Sequence, residues 1–238
     1  MYLYGKNSVL QRLKANPKSI KKLYLQDDLF LPEIERLIRL NKIEFRRLPK
    51  PALYKVKKAD NLQGLVAAVD AFSYTDFGEL LDFSGKEKPS FIFLDRVFDP
   101  QNLGSIIRTA ACTGGFNLVI PKHRACQITD TVLHVASGGE NYLKISSVVN
   151  LRNAVLEAKK AGYWIYGAVL EKAQRLDKAK LSFPLGLVLG SEGKGLRYGL
   201  DKHLDFRVSI PMQGEPLSFN VTTACAIFCY EILKQRLF

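Results

Sequence analysis

Residues 91–120 read FIFLDRVFDPQNLGSIIRTAACTGGFNLVI. The stretch opens and closes with short apolar runs, at residues 91–94 and 117–120, of the kind that a parallel sheet buries on both faces. Between them, residues 103–113 carry apolar side chains at helical spacing. Two buried strands joined by a helix make a crossover unit, so the stretch predicts an α/β domain built on a parallel sheet.

The same alternation of strands and helices continues downstream. In such a sheet the ligand crevice lies at the carboxyl ends of the strands, so the loops that follow the strands are the first place to search for functional residues. The further predicted elements are strands at residues 163–169, 185–189 and 206–210 and helices at residues 151–161 and 221–237.

A smaller α/β unit is predicted ahead of this domain. Its elements are a helix capped by Ser8 that runs through Leu13, a strand at residues 21–25, an amphipathic helix at residues 32–41 with Ile34, Leu37 and Ile38 inward, and a strand at residues 65–69.

The boundary between the two units falls in residues 73–89. This segment mixes Gly, Ser, Pro and charged residues without a sustained apolar run, which predicts a linker around a short helix at residues 77–81. The predicted organisation is therefore a small domain at residues 1–72, the linker, and a larger α/β domain at residues 90–238.

Composition excludes several classes of protein. The 238 residues are 47% hydrophobic and 24% charged, as in ordinary globular proteins, and no apolar stretch approaches the roughly 18 residues of a membrane span. The first residues show no export signal, so we expect a cytoplasmic protein. The four cysteines are too few for a disulfide scaffold, and Cys225 and Cys229, at helical i, i+4 spacing, are interpreted as buried structural thiols rather than a zinc site.

The net charge of +12 is concentrated near the start of the chain. Residues 1–75 hold fifteen basic and seven acidic side chains, which is +8 of the total. Such an excess suits a polyanion such as a nucleic acid, and it equally suits a solvated surface. Composition leaves both interpretations open.

The first informative loop is DRVFDPQNLGSIIRTA at residues 95–110. Pro100 and Asn102 suit a turn into a helix, and Gly104 permits close backbone approach. Arg108 lies further along that helix among apolar residues. Its charged head either reaches solvent along the helix surface or is presented into a site.

Two more loops follow predicted strands. Residues 187–197 read LVLGSEGKGLR, which resembles a nucleotide-binding loop but has the wrong glycine order, no hydroxyl residue after the lysine, and a glutamate that would repel phosphate. A loop that exposes backbone to a neutral or cationic ligand fits better. Residues 210–223 read IPMQGEPLSFNVTT and end at the start of a long apolar helix, where Ser218 or Asn220 alone is best interpreted as a helix cap.

Together the three loops resemble the signatures of the SpoU-type branch of the SPOUT methyltransferases, which are RNA ribose 2′-O-methyltransferases. The matching stretches, in order over about 130 residues, are DPQNLGSIIRTA, LGSEGKGL and IPMQGEPLSFNVT, with VASGG at residues 135–139 as a further likeness. Because the chain also has a small basic N-terminal domain similar to the ribosomal protein L30e fold, the resemblance is strongest to enzymes that methylate a guanosine of large-subunit (23S) ribosomal RNA.

The resemblance implies a trefoil-knotted SPOUT methyltransferase domain at residues 90–238 and an L30e-like RNA substrate-binding domain at residues 1–72, paired as a homodimer with each active site near the partner subunit. It also implies S-adenosylmethionine as the cofactor. No metal is expected, because the sequence has no metal-ligand pattern. The cofactor-binding residues that it implies are Leu189, Gly190, Gly193, Ile210, Met212, Leu217, Ser218 and Phe219. Phe219 stands where the family usually has leucine, which changes the shape of the cofactor pocket.

The resemblance also implies a catalytic set. Arg108 is the residue most tied to catalysis, and the others orient this arginine, the substrate or the cofactor. These are Asn102, Glu192, Ser218 and Asn220. Basic residues of the N-terminal domain would hold RNA, and the candidates are Lys6, Arg12, Lys14, Lys21, Lys22, Arg46 and Arg47.

Other functions stay open at this point. The same chemistry could act on transfer RNA or on an adenosine, because the motifs handle cofactor and ribose rather than the base. A non-catalytic RNA-binding or ribosome-assembly factor on the same scaffold is a third interpretation, although a retired active site has no chemical reason to keep all five polar residues of the catalytic set.

Overall fold

The computed structural model describes residues 1–83, 85, 87–191, 195–214 and 217–237. Its N-terminal part is a four-stranded sheet in the order β1-β4-β2-β3, with β4 antiparallel to both neighbours and β3 parallel to β2. The elements are β1 (Tyr2–Tyr4), α1 (Lys6–Ala15), β2 (Ile20–Gln26), α2 (Pro32–Leu40), β3 (Phe45–Leu48), α3 (Lys50–Val56) and β4 (Leu65–Val69).

The predicted elements of this part are present, with one wrong detail. Helix α2 buries Ile34, Leu37 and Ile38, as its spacing predicts. Ser8, however, does not cap α1, because that helix already begins at Lys6, behind Gly5 with its left-handed φ of 89°. The buried Ser8 hydroxyl instead donates across the domain boundary, 3.3 Å to the carbonyl of His134.

The remainder forms a seven-stranded sheet in the order β7-β6-β5-β10-β8-β11-β9, in which every pairing between described strands is parallel. The predicted α/β class is confirmed. The elements are α4 (Phe77–Leu81), β5 (Ser90–Leu94), α5 (Pro100–Thr113), β6 (Phe116–Pro121), α6 (Asp130–Ala136), β7 (Ile145–Val148), α7 (Leu151–Lys160), β8 (Trp164–Ala168), β9 (Gln174–Arg175), β10 (Leu185–Leu189), α8 (Tyr198–Asp201), β11 (Phe206–Ser209) and α9 (Val221–Leu237).

The central strands β5, β6 and β10 are buried at every position, which explains their unbroken apolar runs. One face of the sheet packs against α5, α6 and α9, and the other packs against α4 and α7. Helix α4 occupies residues 77–81 of the predicted linker, as expected. Its Phe77 packs 5.5 Å from the ring of Phe91, so this part of the segment adheres to the larger domain.

The strand order places a crevice at the middle of the sheet. From β5 the chain runs outward through β6 and β7, and then returns to build the opposite half, with β10 inserted between β5 and β8. At such a reversal, the loops at the carboxyl ends of neighbouring strands diverge and leave space for a ligand. The loops after β5, β8 and β10 therefore surround the expected site.

Helix α9 carries two of the four cysteines inward. Cys225 and Cys229 are fully buried free thiols with sulfur atoms 3.8 Å apart, as predicted for structural cysteines. The hydrogen bond with Cys229 is the larger cause that raises the pKa of the Cys225 thiol, and burial raises this pKa further. Among the described helices, none is both long and apolar enough to cross a membrane.

Candidate active site

A cavity of about 500 Å³ opens at the carboxyl ends of β8 and β10. Its walls come from the loops after three parallel strands and from the first turns of α9. The lining residues are Ala168, Val169, Leu170, Glu171, Leu189, Gly190, Ser191, Gly195, Ile210, Met212, Ser218, Phe219, Val221, Ala224 and Phe228.

The cavity brings together most of the predicted cofactor residues. Those that line it are Leu189, Gly190, Ile210, Met212, Ser218 and Phe219. Leu217 does not line it and is 75% exposed. Gly193, like Glu192 of the predicted catalytic set, lies outside the described residues.

Gly190 shows why the second loop needs glycine. A Cβ atom at this position would lie 2.4 Å from the carbonyl carbon of Gly195 and 2.7 Å from the backbone nitrogen of Leu196. The chain therefore folds back on itself directly at the cavity wall, where Ser191 and Gly195 form a β-bridge. Only a residue without a side chain allows this approach.

A buried carboxylate joins the first loop to the second. Asp95, fully buried at the end of β5, accepts from the Arg197 backbone N–H at 3.0 Å and from its Nε at 2.7 Å. The Arg96 guanidinium adds a contact of 3.1 Å to the Gly195 carbonyl. These charge-assisted bonds hold the two loops in register beside the cavity.

The first and third loops meet through two asparagines. Asn220 Nδ2 lies 3.5 Å from Asn102 Oδ1, which joins the start of α5 to the start of α9. The Asn220 Oδ1 also accepts from the Thr222 backbone N–H at 2.8 Å, so Asn220 caps α9 as well. All three predicted loops therefore lie together at one edge of the sheet.

Helix α5 begins earlier than the periodicity predicted. Asp99 caps it by accepting from the Gln101 N–H at 2.8 Å, and Pro100 occupies the first turn. Gly104 permits the close approach that we expected, because a Cβ there would lie 2.6 Å from the Cβ of Val135 on α6.

Arg108 lies on α5 with its side chain exposed. It forms no hydrogen bond or ion pair with any residue that the structure describes. It is not among the residues that line the cavity of its own chain. It lies six positions beyond Asn102, which is about 9 Å along a helix and on a different face. A single chain therefore leaves this guanidinium available but outside the cavity.

Comparison with known proteins identifies the family. Residues 89–230 match the model of the SpoU rRNA Methylase family, and residues 2–75 match the RNA 2′-O ribose methyltransferase substrate binding model. The chain belongs to the SpoU rRNA methylase family. The family and enzyme class predicted from the three motifs, an RNA methyltransferase, are thereby confirmed.

Similar proteins cover nearly the whole chain. An uncharacterized tRNA/rRNA methyltransferase of Synechocystis is 36% identical over 98% of this chain, which spans 62% of that relative's length. The putative TrmH family tRNA/rRNA methyltransferase YacO of Bacillus subtilis is 33% identical, with 99% and 96% of the two chains covered. The 23S rRNA (guanosine-2′-O-)-methyltransferase RlmB of Vibrio cholerae is 31% identical, with 99% and 97% covered.

Solved structures share the fold. The SpoU methyltransferase AviRb of Streptomyces viridochromogenes, in complex with AdoMet, superposes with a TM-score of 0.82 at 22% identity, covering 100% of this chain and 90% of that chain. A putative RNA methyltransferase of the TrmH family from Porphyromonas gingivalis gives a TM-score of 0.76 at 24% identity, with 97% and 88% covered. Both solved structures therefore share the fold of this chain over nearly its whole length.

The family motifs did not point to every residue of the site. Val169, Leu170 and Glu171 line the cavity from the loop after β8, and Asp95 and Arg197 join the first two loops. The strand at residues 163–169 was predicted, and its position beside β10 would have marked the loop after it as a cavity wall. Sequence alone does not give that position.

The predicted RNA-binding residues of the N-terminal domain divide into three groups. Arg12 was a wrong prediction, because it is buried and paired with Glu140 at 3.0 Å. Lys6 and Arg46 are exposed, and the Arg46 Nε lies 4.0 Å from the Glu44 carboxylate. The others are exposed or partly exposed but held in ion pairs with neighbouring carboxylates, namely Lys14 with Glu33, Lys21 with Asp70, Lys22 with Glu44 and Arg47 with Glu35.

Proposed function

We propose that this protein transfers a methyl group from S-adenosylmethionine to the ribose 2′-oxygen of a guanosine in large-subunit ribosomal RNA. The observation that carries the proposal is the cavity at the reversal of the sheet, which is walled by the family's second and third loops and joined to its first loop through Asp95 and Asn102. The named 23S rRNA guanosine methyltransferase among the relatives supports the choice of substrate.

The residues of the cavity fit S-adenosylmethionine. A volume of about 500 Å³ lies within the usual range for small-molecule sites. The wall combines apolar residues with Gly190, Ser191 and the acidic residue Glu171, which suits a cationic sulfonium better than a phosphate. When bound, the cofactor supplies an electrophilic methyl group.

The chemical task of the protein is to stabilise negative charge on a poor nucleophile. A ribose hydroxyl is a very weak acid, so the barrier lies in positioning it and in stabilising the developing alkoxide. Arg108 cannot serve as the base at neutral pH, because a guanidinium in a protein stays protonated. In our proposal Arg108 holds a substrate phosphate and the 2′-oxygen together, and a phosphate or water accepts the proton.

The remaining predicted residues orient this reaction. Asn102 and Asn220 meet where α5 and α9 begin. Their contact fixes the position of α5, the helix that carries Arg108, relative to the cavity. Ser218 lies at the cavity wall. Glu192 completes the set that the family motif implies.

The position of Arg108 favours a dimer. Because the guanidinium is exposed and lies off the cavity of its own chain, we propose a homodimer in which Arg108 of one protomer serves the cavity of its partner.

The strand order, which returns to insert β10 between β5 and β8, supports a trefoil-knotted catalytic domain. The N-terminal sheet supports an L30e-like fold for residues 1–72, and a ribosomal RNA substrate implies the cytoplasm.

Transfer RNA is the second candidate substrate, because several relatives are named tRNA/rRNA methyltransferases. The test is to incubate the protein with methyl-labelled S-adenosylmethionine and either unmodified 23S rRNA or unmodified tRNA, and then to digest the RNA to nucleosides. We expect the label in 2′-O-methylguanosine from the ribosomal RNA. Label in tRNA alone would reject ribosomal RNA as the substrate. If neither RNA is labelled, the proposed methyl transfer is rejected.

A further inference from the structure

The turn at residues 138–141 lies between the two domains. It follows α6 and packs on one side against α1 of the N-terminal domain and on the other against α5, the helix of Arg108. Gly138 has a left-handed φ of 93°, and a Cβ there would lie 2.3 Å from the Cβ of Gln11 on α1. The N-terminal domain is therefore in direct contact with this turn.

The opposite side of the turn touches the backbone of α5 at the arginine itself. A Cβ on Gly139 would lie 3.1 Å from the Cα of Arg108, 3.2 Å from the Cβ of Ala111 and 3.3 Å from the Ile107 carbonyl. Because Gly139 has no side chain, the backbone of the turn lies directly against α5. A displacement of the turn is thus transmitted to the segment that carries Arg108.

The next residue, Glu140, is held by the other domain. Its side chain is fully buried, and its Oε1 accepts from Arg12 on α1 at 3.0 Å and from Asn141 Nδ2 at 3.1 Å. Arg12 is fixed on its own side by a bond of 3.2 Å to the Ser19 hydroxyl. Burial raises the pKa of Glu140, and the Arg12 guanidinium opposes this effect by stabilising the carboxylate.

We propose that Arg12 is a positioning residue for methyl transfer: by clamping Glu140, the RNA-binding domain holds the turn at residues 138–141 against α5 and so sets the place of Arg108. This inference rests on the catalytic role proposed for Arg108. It links the domain that carries the RNA to the residue that acts on it, within one chain.

A role in stability alone explains the pair poorly. Buried ion pairs contribute little stability relative to apolar side chains of similar size, and their best-attested use is to fix register. Here Glu140 Oε2 and Arg12 Nε have no hydrogen-bond partner among the described protein groups. A cavity of about 670 Å³ borders both residues, so side-chain packing encloses the pair on only part of its surface.

The test compares Arg12→Met with a matched interface variant, Lys57→Met. Lys57 pairs with Asp130 across the same domain boundary but contacts α6 rather than the turn. We expect Arg12→Met to lower the single-turnover rate about tenfold or more, since small misplacement of a catalytic group has effects of up to about a hundredfold. The Kd for S-adenosylmethionine, measured by calorimetry, should stay unchanged. Lys57→Met should keep the wild-type rate.

A double-mutant cycle separates positioning from a general structural effect. In an Arg108→Lys background, Arg12→Met should lower the rate no more than about twofold, because both residues act on the same step. Equal rates for Arg12→Met and Lys57→Met, or effects that multiply in the double variant, would overturn the proposal. If Arg108→Lys and Arg108→Ala both turn over like wild type, the role of Arg108 fails first, and the proposal fails with it.

Arg12→Met leaves a buried carboxylate without its partner, and this variant alone could unfold. Arg12→Met/Glu140→Gln removes both charges and keeps the size of the side chains. We expect it to fold, to bind S-adenosylmethionine normally and to remain at least about fivefold slow, because the clamp is absent. A wild-type rate for this folded double variant contradicts the proposal.

Discussion

Replacing Arg108 with alanine is expected to lower the turnover of methyl transfer by about a hundredfold or more, because loss of one group that stabilises a developing oxyanion has effects of that size. The affinity for S-adenosylmethionine should not change, because in our proposal Arg108 holds the substrate phosphate and the 2′-oxygen rather than the cofactor. Turnover on unmodified 23S rRNA and calorimetry with the cofactor measure the two effects separately.

The matched control is Arg152→Ala. Arg152 is also an exposed arginine on a helix of the same domain, but α7 packs on the opposite face of the sheet from α5. We expect its turnover to equal that of wild type. Arg108→Lys tests the clamp itself, because lysine keeps the charge but not the planar, bidentate geometry. Near-normal turnover of Arg108→Lys at neutral pH would reject the clamp.

Subunit mixing tests whether the arginine acts across the dimer. Arg108→Ala lacks the arginine, and Gly190→Ala damages the cavity, so a mixed dimer has one intact pair only if Arg108 serves the partner's cavity. Random exchange makes half of the dimers mixed, and turnover should recover to about a quarter of the wild-type value. The concentration of S-adenosylmethionine is kept low enough that the Gly190→Ala cavity stays largely unoccupied. If turnover does not recover, Arg108 acts on the cavity of its own chain, and the proposed action across the dimer is rejected.

Replacing Gly190 with alanine is expected to weaken binding of S-adenosylmethionine by roughly ten- to a hundredfold. The new Cβ would lie 2.4 Å from the Gly195 backbone, so the loop that walls the cavity must open. Overpacking of this kind costs about 1–3 kcal/mol, and the stated loss of affinity corresponds to about 1.4–2.8 kcal/mol within that range. Because the φ of Gly190 is not left-handed, the effect is steric rather than conformational.

Gly199→Ala is the matched control for the cavity. Gly199 lies on α8 in the same stretch of chain, and a Cβ at this position meets no atom within 4 Å. We expect cofactor affinity equal to wild type, measured by the same calorimetry. If Gly190→Ala binds S-adenosylmethionine as tightly as Gly199→Ala does, the cavity is not the cofactor site.

Much of the larger domain could be predicted because its signals are local. The buried strands β5, β6 and β10 read as unbroken apolar runs, and the long apolar stretch at residues 221–237 predicted α9 with its bounds. The short strand β3 was missed. It has two arginines among its four residues and a mostly exposed surface, so it carries no apolar pattern.

The tertiary contacts of the site were beyond sequence reasoning. Nothing near Arg12 in the chain indicates Glu140, which lies 128 residues away, and the basic character of the domain suggested RNA binding instead. Asp95 follows a buried strand directly, which is a usable signal for a functional carboxylate, but its partner Arg197 is 102 residues distant. The motif identified Arg108, whereas its position off the cavity emerges only from the packing of α5.

The most direct test of the central claim is a map of ribose 2′-O-methyl marks in the RNA of cells that lack this protein. The same cells are complemented with the wild type or with Arg108→Ala. We predict one 2′-O-methylguanosine in large-subunit ribosomal RNA that is absent without the protein, returns with the wild type and does not return with the variant. Identical maps in all three, or a mark restored in full by Arg108→Ala, would contradict the account.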